Sequence, residues 1–144
     1  MRLSVPLEVT EELEVADGTF SVTFQQPRQK EYIKREQYWD KARENQSLVW
    51  GYIQAWDVYL TLRECELETD EGPLWNAMQL KQGMLSMSEF IKGWERLPPE
   101  ICTALWEEAV KVAPDWDYRE QVTPEGTFPD GDGAPELPEE DSPF

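Results

Sequence analysis

The stretch Leu13–Phe24, LEVADGTFSVTF, constrains the fold of this chain more than any other. Two runs of alternating apolar and polar residues flank the dipeptide Asp17-Gly18, which readily adopts the positive φ angles of a two-residue turn. A turn at this dipeptide pairs apolar residues across two strands and places them all on one face. The pairs are Val15 with Phe20 and Leu13 with Val22. The sequence therefore predicts an antiparallel β-hairpin with one buried face.

A further strand is predicted before the hairpin, because Leu3, Val5, Leu7 and Val9 alternate with polar residues and Pro6. Proline cannot donate a hydrogen bond to a neighbouring strand, so this strand should lie at the edge of a sheet. Together these segments predict a small N-terminal antiparallel sheet over residues 3–26.

A mostly helical body is predicted over residues 28–113. From Arg28 to Arg63 the only helix-disfavouring residue is Gly51, at a cost of about 1 kcal/mol relative to alanine. Two interpretations remain open, one long helix or two helices divided near residues 45–47, with Ser47 capping the second. A short strand near Cys65, a weak helix over residues 74–84, a helix capped by Ser86 and a last helix after Pro98-Pro99 follow.

Residues 114–144 differ from the body in composition. They contain ten acidic residues and one arginine, so they hold −9 of the formal net charge of −17. This stretch is rich in proline and glycine and cannot bury enough apolar area to offset the loss of conformational entropy on ordering. The sequence thus predicts one α+β domain over residues 1–113 and a disordered acidic tail over residues 114–144.

The composition also argues against several classes of function. A strongly acidic chain repels phosphate backbones and anionic lipids, so direct binding to nucleic acid or membrane is not expected. The chain has no histidine, and its two cysteines, Cys65 and Cys102, are far apart, which favours reduced thiols in a cytosol. No catalytic set, metal cluster or phosphate loop stands out. The expectation is a non-enzyme without metal or cofactor.

Aromatic residues are the other unusual feature, with seven tryptophans in 144 residues. In the stretch WGYIQAWDVYL, at 100° per residue, three aromatic residues line one flank of a helix while Trp50 points away from Ile53. A thin core does not need all of these rings, so a partner surface is predicted, with an aromatic-rich closed core as the open alternative. The candidate partner-binding residues are Trp50, Tyr52, Trp56, Tyr59, Trp94 and Trp106; of these, Trp56 and Trp106 also fit the core pattern.

Six of the thirteen basic residues fall within sixteen positions of the first predicted helix. This candidate electrostatic patch consists of Arg28, Lys30, Lys34, Arg35, Lys41 and Arg43. On an acidic protein it could receive the acidic tail of the same chain or an acidic neighbour, and a merely solvated helix face is the alternative.

The order of these parts resembles the tail assembly chaperones of long-tailed bacteriophages. The similarity lies in the N-terminal hairpin, the polar segment QQPRQKEYIKREQ, the strand and turn ECELETDEGPLW, and the segment MSEFIKGWERLPPEICTALWEEAV, and it covers residues 3–113. The resemblance implies a non-catalytic protein in the host cytoplasm that keeps the tape measure protein soluble and brings tail-tube subunits to it. Self-association is left open.

Two other functions are weighed beside this one. An acidic inhibitor that mimics DNA would carry acids arrayed over its folded body. A structural component of the phage tail or connector would remain in purified particles, whereas a chaperone would be lost from them.

Overall fold

The computed structural model describes residue 1, residues 7–46 and residues 49–121. Within these ranges an antiparallel sheet packs against a body of five α-helices, which confirms the predicted α+β fold. No helix in the described part of the chain is both long enough and apolar enough to cross a membrane. Residues 3–6 of the predicted first strand and the tail from residue 122 lie outside the described residues.

The main sheet has three strands in the order β1-β2-β3. They are β1 (Glu8–Val15), β2 (Gly18–Gln25) and β3 (Leu62–Cys65), and both neighbouring pairs are antiparallel. The central strand β2 turns Phe20, Val22 and Phe24 into the core, where each is almost fully buried. The alternation of apolar and polar residues in the sequence therefore predicted correctly which side chains of β2 lie in the core.

The hairpin register differs from the predicted one. Val15 lies opposite Gly18 and Leu13 opposite Phe20, so the turn is formed by Ala16 and Asp17. Gly18 has a φ of +142°, which an L-residue rarely adopts, and it supplies this conformation as the first residue of β2. The difference is a slide of two residues between the strands, and a two-residue slide leaves every side chain on its original face.

The long helical stretch is two helices, which settles the alternative left open above. They are α1 (Gln29–Glu44) and α2 (Trp50–Thr61). The break falls at Asn45 and at Gln46, which has a φ of 54° in the left-handed region. Gly51 lies inside the first turn of α2 and does not interrupt it, and the proposed capping residue Ser47 is outside the described residues.

A short hairpin and three more helices complete the order of elements. These are β4 (Glu68–Thr69), β5 (Gly72–Pro73), α3 (Ala77–Lys81), α4 (Met87–Trp94) and α5 (Pro99–Val112). The predicted cap of α4 is present, because the Ser86 hydroxyl accepts a hydrogen bond from the Glu89 backbone N–H at 3.2 Å. The weak helix predicted over residues 74–84 shortens to the five residues of α3.

The packed body continues past Ala113, where the sequence predicted that the tail begins. Two 3₁₀ helices, Pro114–Trp116 and Tyr118–Gln121, follow α5. Trp116 is only 2% exposed and contacts the Tyr32 ring edge-on, at 5.2 Å between ring centroids. The domain boundary therefore lies after this segment, because a large indole buries enough apolar area to hold it.

Candidate protein-binding surface

Helix α2 runs through the middle of the body and is buried on most of its circumference. Ile53, Val58 and Leu60 are each less than 5% exposed. Tyr52, Trp56 and Tyr59 are spaced by four and three residues, so they follow one another along a single side of the helix. We call these three residues the α2 flank; Tyr52 is 38% exposed, and Trp56 and Tyr59 are half-buried.

The rings of the α2 flank are held in place by neighbouring elements. The Tyr59 ring lies 5.3 Å from that of Phe90, and its hydroxyl donates a hydrogen bond to the Leu85 carbonyl oxygen. Trp56 contacts Tyr38 of α1 at 5.7 Å between centroids. The Tyr52 hydroxyl donates to the Glu95 carboxylate. The flank is thus an ordered, part-exposed aromatic strip between α1 and α4.

A small open cleft lies at the Tyr59 end of this strip. Its walls come from α1, α2, β3 and the segment from α3 to α4, and they mix apolar with charged side chains. The lining residues are Glu31, Lys34, Tyr59, Leu60, Leu62, Arg63, Leu80, Gly83 and Leu85. Met84, between two of these residues in the loop, is 71% exposed. A flexible, exposed methionine is typical of surfaces that bind varied hydrophobic partners.

The charged residues of the cleft differ in how they are held. The Glu31 carboxylate accepts a hydrogen bond from the Arg28 backbone N–H at 2.8 Å and is largely buried. Arg63 donates from Nε to the Gln25 side-chain oxygen at 2.9 Å, and burial lowers the pKa of its guanidinium. Lys34 is exposed and makes no ion pair with any described residue. Lys34 therefore places a cation beside the cleft that has no ion-pair partner among the described residues.

A buried ion pair lies behind the α2 flank. Asp57 is fully buried, and its carboxylate accepts hydrogen bonds from Arg35 Nε at 2.6 Å and from Trp106 Nε1 at 3.0 Å. Burial raises the pKa of the Asp57 carboxyl, while Arg35 and Trp106 act in the opposite direction. Because these contacts join α1, α2 and α5, they hold α2, which carries the aromatic strip, against its two neighbours.

The predicted electrostatic patch is a mixed surface. Arg35 is committed to Asp57, and Arg43 pairs with Asp40 at 2.8 Å. Lys30 lies 3.8 Å from Glu31. Between Gln29 and Glu44 the five basic residues alternate with four acidic ones. Arg28, Lys34 and Lys41 are exposed. The six residues therefore do not act as one positive surface.

The predicted partner-binding residues separate into three groups. Tyr52, Trp56 and Tyr59 come together on the α2 flank. Trp50 lies on the other side of α2, where its ring is 4.7 Å from that of Tyr118. Trp94 and Trp106 are 5% and 1% exposed, so they belong to the core. This corrects their prediction as partner-binding residues, since a buried indole offers no surface to another chain.

Several residues of the site were missed in the sequence. Asp57 is a lone acid within an apolar helical stretch, a pattern that indicates a buried charge in need of a partner. Met84 and Leu85 gave no signal, because a loop has no periodicity to place its side chains. Trp116 was assigned to the tail on composition alone.

The described residues contain no group of three or more His, Cys, Asp or Glu side chains that could hold a metal ion. Cys65 and Cys102 are free thiols, and burial raises the pKa of each to about 11. Comparison of the chain with protein-family profiles, with curated proteins and with solved structures found no significant match.

Proposed function

We propose that this chain is a non-catalytic protein-binding module and acts as a tail assembly chaperone of long-tailed bacteriophages. The observation that carries the proposal is the α2 flank, an ordered aromatic strip that the fold leaves part-exposed beside a small open cleft. The specific role as a tail assembly chaperone is proposed from the resemblance in the order of elements. In this role the chain works in the host cytoplasm, binds the tape measure protein and recruits tail-tube subunits.

The chemistry of the strip suits a helical client. Aromatic side chains supply large contact areas with little loss of conformational entropy, and amphipathic helices bind in apolar grooves through residues spaced three and four apart. Tyr52 and Tyr59 add hydroxyls, and Lys34 adds a cation at the cleft. A client helix with apolar residues on one face and an acid at its margin would match these groups.

The high net charge suits the second part of the role. A complex that carries −17 from this chain repels other copies of itself, so an aggregation-prone client would stay dispersed.

Co-expression with a tape measure protein tests the proposal. We expect the client to be insoluble alone and soluble with this chain, and a Tyr52→Ser, Met84→Ser double variant to bind at least about tenfold more weakly, since truncated aromatic hot spots commonly cost 2 kcal/mol or more. The affinity is measured by titration calorimetry on a soluble fragment of the client.

The matched control is Ile33→Ser. The exposed fraction of Ile33 is 45%, similar to the 38% of Tyr52. By helical periodicity Ile33 faces outward from α1, away from the strip. Binding that is unchanged in the double variant, or a client that stays soluble alone, would contradict the proposal.

A second function, an acidic inhibitor of a basic nucleic-acid-binding protein, is supported by the charges around the sheet. Five acids lie between Glu8 and Asp17 and five between Glu64 and Glu71. The strand between these two acidic segments, β2, carries no charge. Such an inhibitor would compete with DNA for a basic nuclease, and the competition would weaken with added salt. A structural virion component would instead be retained in purified particles.

A further inference from the structure

A second part-exposed apolar surface lies at the start of α2, and it adjoins the flank because the Trp39 ring also lies 6.4 Å from that of Trp56. Val49 is 49% exposed, and Trp39 and Trp50 are half-buried with their rings 6.1 Å apart. We call these three residues the Trp39–Trp50 face. The Arg43 guanidinium lies over the Trp39 ring at 5.3 Å, so a cation borders the face.

The chain after α5 runs towards this face. Asp115 accepts hydrogen bonds from the Tyr32 hydroxyl, and the Arg35 guanidinium lies 4.9 Å from the centroid of the Trp116 ring, so this part contacts the first turns of α1. Further on, Tyr118 contacts Trp50, the first residue of α2. The segment therefore advances from the start of α1 towards the junction of α1 and α2, and the described chain ends three residues later.

The charges favour the same direction. Residues 122–144 contain seven acids and no base. The acids around the sheet repel them, whereas α1 holds five basic residues against four acids and the first turn of α2 has no acid. Phe128, the first large apolar residue of the segment, follows Gln121 by seven positions, up to about 23 Å of extended chain.

We propose that residues 122–132 of the same chain cover the Trp39–Trp50 face, with Phe128 as the apolar anchor and their three acids beside Arg43. The occupant is this segment because it starts at the face, carries the complementary charge and presents one aromatic residue within reach. This proposal does not depend on the proposed function, because the occupant that it names is a segment of this chain and not a client protein.

The test uses the intact ¹⁵N-labelled chain and follows the indole N–H signals of its tryptophans by NMR. We expect Phe128→Ser to shift the signals of Trp39 and Trp50 but not that of Trp75, which is stacked on Phe90 elsewhere in the core. Phe144→Ser is the matched control, with the same change sixteen residues further on, and should leave all three signals in place. High salt should reproduce the effect of Phe128→Ser.

Zero-length carbodiimide cross-linking of an Arg43→Lys variant gives a second readout. A mixture of ¹⁵N-labelled and unlabelled chains should yield links within one chain, from the new lysine to Glu125, Asp130 or Asp132. Lys92 of α4 is 70% exposed at its side chain and serves as the reference amine.

Three results would overturn the proposal. The first is an unchanged pair of Trp39 and Trp50 signals in Phe128→Ser, and the second is cross-links that join labelled to unlabelled chains, which would identify a second copy as the occupant. The third is a cross-linking yield at Lys92 equal to that at the lysine introduced at position 43, which would indicate that the segment contacts the whole surface without preference.

Discussion

At the scale of single residues, the body depends on one buried carboxylate. Asp57 has no solvent exposure and is satisfied by Arg35 from one side and Trp106 from the other. Removing one partner of a buried ion pair commonly costs 3–5 kcal/mol, because a charge remains in a poorly polarisable interior. Removal of either partner of Asp57 is therefore expected to cost far more stability than the loss of an exposed ion pair.

Two tryptophans provide a matched test of this hydrogen bond. Trp106 Nε1 donates to Asp57, whereas Trp39 Nε1 is buried without a partner among the described residues. We expect Trp106→Phe to lower the free energy of unfolding by about 2 kcal/mol more than Trp39→Phe, because only the first leaves a charged acceptor short of a donor. Urea denaturation measures both.

The loss of apolar volume at these two sites is separated from the hydrogen bond by a double-mutant cycle with Asp57→Asn. Absence of coupling between positions 57 and 106, together with equal costs for the two tryptophan variants, would show that the hydrogen bond contributes nothing to stability.

At the scale of elements, the glycines of α2 and α4 differ in the space around them. A Cβ added at Gly93 would collide with the indole nitrogen of Trp75, which donates a hydrogen bond to the Phe90 carbonyl oxygen at 3.0 Å. Gly51 has open space in the same position. The close approach of α4 to Trp75 thus depends on a missing side chain.

We expect Gly93→Ala to destabilise the fold by about 1–3 kcal/mol through overpacking, although alanine favours helix. Gly51→Ala, the matched change, should raise stability by up to about 1 kcal/mol. Thermal unfolding followed by circular dichroism distinguishes them, and a Gly93→Ala variant as stable as Gly51→Ala would refute the role assigned to the Trp75 contact.

The last 3₁₀ helix is preceded by a carboxylate whose charge matters. Arg119 donates from Nε and Nη2 to the two Asp117 oxygens, each at 3.0 Å, and these hydrogen bonds lower the pKa of Asp117. A lowered folded-state pKa adds stability above the unfolded value of about 3.9 and loses it as pH falls through the folded value. The contact between Asp117 and Arg119 is therefore expected to weaken in acid.

The corresponding prediction is that Asp117→Asn destabilises the chain at pH 7 and has little effect near pH 2. The melting temperatures of the native chain and the variant should converge as the pH falls. A difference that stays constant across this range would mean that the charge of Asp117 does not contribute.

The elements were predictable where local chemistry decides them. The apolar alternation fixed the inner face of β2, and Ser86 with Glu89 fixed the start of α4. The hairpin register was not predictable from the sequence, because Gly18 can stand after the turn as well as within it. Both registers bury the same residues. The break between α1 and α2 falls at Gln46, a residue without any intrinsic preference for the left-handed region.

At the scale of the whole molecule, charge is unevenly distributed. Acids predominate around the sheet, whereas α1 mixes five basic residues with four acids. Glu8, Glu11, Glu12 and Glu14 lie on β1, an edge strand that no other strand covers in the described ranges. Acidic side chains on such an edge oppose pairing with another chain.

Neutralising this edge should make the chain associate. We expect the triple variant Glu8→Gln, Glu12→Gln, Glu14→Gln to form dimers or larger species at concentrations where the native chain is monomeric, as measured by sedimentation velocity. The same three substitutions at Glu36, Glu44 and Glu107, which lie on helices, are the control. Equal association of both variants would assign the effect to net charge alone.

The candidate surface was predictable only in part, and for reasons of scale. Periodicity within one helix placed Tyr52, Trp56 and Tyr59 on one flank, because that relation is local. It could not tell that α4 and α5 cover Trp94 and Trp106, since burial of those rings depends on contacts between elements distant in sequence. Composition also led to the wrong assignment of Trp116 to the tail, because its neighbours in the sequence are acidic.

The packing of Trp116 against Tyr32 has a consequence for biosynthesis. Translation delivers α1 some eighty residues before its covering indole, so a nascent chain leaves the ribosome with that hydrophobic seam still open. Closure of the seam must then wait until synthesis has passed Trp116, and a stop codon just upstream of it would yield a product that cannot close its interior.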